Sequence, residues 1–125
     1  MQIFKTKLFS RWAEKEGLTD EALQTAVEEL ENGLVDADLG GHVYKKRVSL
    51  AGRGKRGGAR TLIAFRIGEK AFFLYGFAKN VRSNVRDKDL KALRLLAGVL
   101  LNYSDAALTK AVKAGELIKV VNNDE

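Results

Sequence analysis

The apolar positions of the chain change their period from one segment to the next. Gln2 to Thr6 reads as a short strand, after which Leu8, Phe9, Trp12 and Ala13 recur at helical spacing as far as Gly17, which ends that helix. Thr19 or Asp20 is a suitable N-cap for a second helix from Glu21 to about Glu31, with Leu23, Ala26, Val27 and Leu30 on its apolar stripe and Gly33 past its end. From Val43 the period falls to two. Val43 to Leu50 forms one strand, the glycine-rich run Gly52 to Gly58 breaks it, and Ala59 to Ile67 and Ala71 to Phe77 form a hairpin about Gly68, Glu69 and Lys70. Helical spacing returns from Asp87 to about Leu101 through Leu90, Leu93, Leu96, Ala97 and Leu100. Ser104 or Asp105 caps a shorter helix ending at Gly115, and Leu117 to Val121 reads as a final edge strand. This order predicts an α+β fold of one domain, residues 1–125, with a central antiparallel sheet against which N-terminal and C-terminal helices pack.

Composition narrows the chemistry. With 46% hydrophobic and 30% charged residues in 125, the chain is too apolar for disorder and too evenly charged for a membrane span. The absence of cysteine excludes a disulfide scaffold, a thiol nucleophile and sulfur-ligated zinc, and the single histidine, His42, leaves no HExxH pair. Neither a metal nor a cofactor is expected. Lysines interrupt Ile3, Phe4, Leu8 and Phe9 near the start, so a signal-peptide core is missing and a cytoplasmic location is expected.

The net charge of +6 is unevenly placed. Between Leu39 and Gly68 stand eight basic residues (Lys45, Lys46, Arg47, Arg53, Lys55, Arg56, Arg60 and Arg66) and no acid. From Leu18 to Leu39 stand seven acids (Asp20, Glu21, Glu28, Glu29, Glu31, Asp36 and Asp38) and no Lys or Arg. Most charge runs are merely solvated faces, but thirty residues without an acid favour a polyanion, and a phosphate backbone is the usual one. The expectation is two surfaces of opposite sign, with the acidic helix kept clear of nucleic acid.

Strand periodicity puts Lys45 and Arg47 on one face, and a hairpin would bring Arg60 across from them. Converging cations can clamp a phosphodiester and neutralise charge that builds in its transition state, and a lysine among them can serve as a general base. Holding phosphate without chemistry is the simpler reading of the spacing alone. The segment GRGKRGGAR, Gly52 to Arg60, lacks the spacing of a nucleotide-hydrolysing loop and precedes a strand, so its glycines serve a tight connection from which Arg53, Lys55 and Arg56 reach a nucleic-acid backbone. His42 suits a capping or solvent-facing role better than catalysis. Trp12, Phe72, Phe73 and Phe77 are packing residues, Tyr75 is assigned to the core before base stacking, and Lys79 at the strand's end joins the cationic cluster.

Taken together, YKKRV (Tyr44 to Val48), GKRGGAR (Gly54 to Arg60) and FFLYGFAKN (Phe72 to Asn80), preceded by TKLFSRWAEKEGL and ADLGGHVYK, resemble the HigB-like branch of the RelE/ParE toxin superfamily of bacterial toxin–antitoxin modules. The resemblance implies a RelE-like sheet fold and a toxin that cleaves translated mRNA on the ribosome by attack of a ribose 2′-hydroxyl on the adjacent phosphate. It implies as partners a cognate antitoxin, the ribosome and mRNA, and no membrane. By it Lys45, Arg47, Arg60 and Lys79 are catalytic, Arg60 stabilising the transition state, while Lys46, Arg53, Lys55, Arg56, Asn80 and Arg82 contact RNA. Asn80 and Arg86 stand where the RelE pattern has an arginine and a tyrosine, leaving no phenol or imidazole near Lys79. A ParE-like, non-enzymatic gyrase inhibitor and a nucleic-acid-binding module without catalysis are the competing readings, and the cationic face favours the nuclease.

Overall fold

The computed structural model describes residues 1–50, 54–78 and 86–121, with the backbone alone at 50, 54–57 and 78. The elements run β1 (Gln2–Thr6), α1 (Lys7–Glu16), α2 (Asp20–Glu31), β2 (Ala37–Asp38), β3 (Val43–Leu50), β4 (Gly54–Arg66), β5 (Lys70–Ala78), α3 (Asp87–Leu101), α4 (Asp105–Lys113) and β6 (Leu117–Lys119). Among the described residues these strands form one sheet in the order β2-β3-β4-β5-β1-β6. Its centre, β3-β4-β5, is the predicted antiparallel meander. The sheet as a whole is mixed, because β1 runs parallel to β5, setting Phe4 beside Phe72, and β6 closes antiparallel on β1.

Two local expectations change. The glycine run does not break the ladder as far as Gly58: β4 already pairs at Gly54, opposite Leu50, and a register shift between Val48 and Leu50 absorbs the irregularity. The two-residue β2, too short to show any alternation, pairs with β3 through Ala37 and Lys45, folding the acidic run back along the basic strand.

Helices cover both faces of the sheet. The α2 cap forms as the sequence suggests, Thr19 accepting from the Ala22 amide, and Thr6, at the end of β1, caps α1 in the same way by accepting from the Phe9 amide, each at 3.1 Å. Their apolar stripes bury Phe9, Ala13, Leu23, Val27 and Leu30 against Val48, Ile63, Phe65 and Phe73. Leu8, expected on that stripe, is exposed instead. Trp12 packs directly on Gly76, where an added Cβ would come within 2.1 Å of the indole, so only glycine lets α1 approach β5. On the opposite face, Ala97, Leu100 and Leu101 of α3 and Leu108 and Ala111 of α4 pack on Phe4, Val43, Leu62, Phe72 and Leu74.

A bulge re-phases β5 within that second face. Leu62 pairs with Tyr75 but Ile63 pairs with Phe73, so Leu74 has no partner of its own. Phe72 and Leu74 before the bulge, and Tyr75 and Phe77 after it, consequently join the same cluster.

Candidate nucleic-acid interface

Arg47 of β3 and Arg60 of β4 are directly opposed in the ladder, and directly opposed residues project from the same face. Lys45, two positions along β3 and opposite Leu62, shares that face. Phe77 stands across β4 from Arg60 and Tyr75 across from Leu62, so aromatic side chains continue the cationic row on β5. Like charges directly opposed on a sheet repel, a cost that an anion held between them would offset. Arg47 is exposed, and Arg60 is half-buried with Nη1 only 3.4 Å from the Gly58 carbonyl it donates to.

The structure corrects the assignment of Lys46. It is 4% exposed and lies on the opposite face, where its Nζ meets the Glu29 carboxylate of α2 at 2.8 Å. The same period of two that joins Lys45 to Arg47 turns Lys46 away, so it fastens α2 to the sheet instead of contacting RNA. The acidic helix itself stays clear of the cation row, as expected, because α2 packs on the opposite face of the sheet, but the acidic and basic runs do touch. Glu29 comes from the acidic run, and so does Asp36, whose Oδ2 accepts from the Arg47 amide at 2.6 Å while its Oδ1 lies 3.4 Å from the Arg47 Nε. Two acids of that run therefore meet cations: Glu29 balances one buried lysine on the α2 side, and Asp36 holds the backbone and head group of Arg47.

Tyr75, assigned to the core before base stacking, is half-buried and packs at the edge of the second cluster, but on a face that the sequence does not foretell. Strict alternation sets it opposite Leu74, whereas the bulge brings both to one face, so a phenol does stand beside the cations. It lines an open cleft of about 380 Å³ whose other wall is α3: Arg86, Asp89, Ala92, Leu93 and Leu96. Leu96, expected in the helix core, remains 37% exposed on this wall. The helix is fixed over the sheet by Arg94, which donates to the Leu39 carbonyl through Nε at 2.8 Å and also through Nη2. Its stem lies close against Gly41, where a Cβ would stand 3.0 Å from Cγ. His42 follows in the left-handed conformation, φ 65°, and is exposed, as expected of a turn residue.

Lys79, Asn80, Arg82 and Arg53 fall outside the described residues, as do the side chains of Lys55 and Arg56. Among the described residues no helix is long and apolar enough to cross a membrane, and no group of three or more His, Asp or Glu residues could hold a metal ion. What they offer is a row of cations flanked by aromatic rings on a rigid sheet, an arrangement that suits a phosphodiester and the base attached to it. Comparison with curated protein sequences finds no match. A sequence model of the RelE toxin of the RelE/RelB toxin–antitoxin system matches residues 1–120, nearly the whole length, and the chain therefore belongs to this family of toxins, each partnered by an antitoxin.

Proposed function

We propose that the chain acts as a single toxin domain of the HigB-like branch, cutting mRNA in translation on the cytoplasmic ribosome until its antitoxin blocks it. Toxins of this family are generally mRNA-cleaving, and the observation that carries the reading here is the direct opposition of Arg47 and Arg60 with Lys45 on the same face. In the reaction, the ribose 2′-oxygen forms a bond to phosphorus and the bond to the 5′-oxygen breaks. The 2′-hydroxyl proton leaves to a base and the departing 5′-oxygen gains a proton. Arg47 and Arg60 bind the non-bridging oxygens, and their pull grows as charge gathers on them in the transition state. Lys45 is the nearest described candidate for base or further phosphate ligand, and Lys79 would join it from the end of β5. Asp36 positions Arg47 and serves as its counter-ion until phosphate arrives.

The test is to map mRNA 5′ ends after inducing the toxin without antitoxin, on a transcript carrying an intact or a mutated start codon. Cuts inside the reading frame that vanish with the start codon are expected. Arrest of growth with intact mRNA and broken DNA would replace this reading with gyrase poisoning, and cuts that ignore the start codon would remove the ribosome from it.

A further inference from the structure

We propose that the cleft between Tyr75 and the first turns of α3 is a nucleobase-binding subsite, holding the base of the nucleotide whose phosphate lies between Arg47 and Arg60. The inference rests on the reading of this face as an RNA site and adds to it a place where sequence is sensed.

Position supplies the first argument. Arg60 pairs with Phe77 and Leu62 pairs with Tyr75, so Tyr75 is the diagonal neighbour of Arg60 on one face. Diagonal neighbours stand about 7–8 Å apart, within one nucleotide's span from phosphate to base.

Shape and chemistry supply the second. At about 380 Å³ the cleft falls within the roughly 300–1,000 Å³ of small-ligand sites. Its walls are a half-buried tyrosine ring on one side and Leu93, Leu96 and the Ala92 methyl on the other, surfaces that take a planar ring and would gain nothing from a phosphate. Phe77, 4% exposed, braces the Tyr75 ring with a centroid separation of 6.1 Å. At the mouth, Arg86 Nε donates to Asp89 Oδ2 at 3.1 Å. This exposed pair lines the same cleft and brings N–H donors and carboxylate acceptors to it, the groups that read the edge of a base. Stacking accepts every base, and the rim pair supplies the preference.

The experiment follows the Leu93 and Leu96 methyl groups and the Tyr75 ring by NMR in the full chain. It is titrated in turn with a short single-stranded RNA, the same RNA with abasic positions, inorganic phosphate, and the cognate antitoxin. The cleft signals should move with the intact RNA and stay still with abasic RNA and phosphate. Tyr75→Leu and Leu96→Gln should each weaken RNA binding about tenfold or more, leaving inorganic phosphate affinity unchanged, and Tyr75→Phe should retain it. Cleft signals that respond equally to phosphate, an RNA affinity indifferent to both substitutions, or a cleft that answers only to the antitoxin would each overturn the proposal. Because the readout is binding, a chain that never cuts mRNA would sink the nuclease reading while still deciding this one.

Discussion

Lys45 and Lys46 are consecutive residues of one strand, yet they meet different surroundings. Lys45 shares its face with two arginines and an aromatic row, beside an open cleft, whereas Lys46 is enclosed under α2 with the Glu29 carboxylate 2.8 Å away. The difference teaches that a basic run is not in itself an interface. Charge gathered in sequence is sorted by the pleat into a half that lines the candidate site and a half that fastens the fold, and the burial of the cation itself marks which is which.

The sharpest way to break this comparison is to remove one cation from each face. Arg60→Ala should lower cleavage roughly a hundredfold to a thousandfold, the usual loss for one preorganised transition-state donor, with the thermal midpoint nearly unchanged. Lys46→Met should leave cleavage by the folded protein intact. Full toxicity of Arg60→Ala at matched expression would end the assignment of that face.

Next in size is the stability of the enclosed pair. Glu29→Ala leaves a buried ammonium without its carboxylate and should cost about 3 kcal/mol in denaturant titration, most of it recovered when Lys46→Met is added. Removing the partner strands the charge, and replacing both removes the need for one. A loss below about 1 kcal/mol would mean that water reaches Lys46 and that the two faces are less distinct than described.

The smallest effect sharpens the contrast within the ligand-facing side. Asp36→Asn releases Arg47 from an exposed counter-ion and should tighten RNA binding only a few-fold at low salt, in keeping with roughly 0.2–1 kcal/mol for exposed pairs. Weaker binding would show that Asp36 matters more for orienting Arg47 than for competing with phosphate.

Most of the order of elements was legible because several helix ends carry their own chemistry: Gly17 with φ 75° stops α1, and Thr19 and Ser104 cap α2 and α4. The grouping of Lys45, Arg47 and Arg60 was legible for a similar reason, since period and hairpin register are local. The opposite placement of Lys46 followed from that same period and was there to be read. The position of β1 beside β5 was not, because remote strands pair without any local signal. Nor was the face that Tyr75 takes, because the bulge at Leu74 shifts the register of β5 against β4 without a local sequence signal. Leu96 looked like core because periodicity identifies a helical stripe without saying how far the sheet extends beneath it.

The parallel pairing of β1 has a consequence for synthesis. Residues 2–6 leave the ribosome well before either of their partners, yet they must lie between residues 70–78 and 117–119. The β3-β4-β5 meander can close from neighbouring segments while β1 waits with both edges open, since pairings between distant segments form slowly. A nascent toxin would thus have its cationic face before its sheet is whole, and the last link to close is β6 on β1. A chain cut before Leu117 should refold more slowly and aggregate through the uncovered β1 edge, a penalty that refolding kinetics and light scattering would register. The fold thereby sets a delay between making the cationic strands and closing the sheet that carries them, a delay fixed by the stretch of chain between β5 and β6.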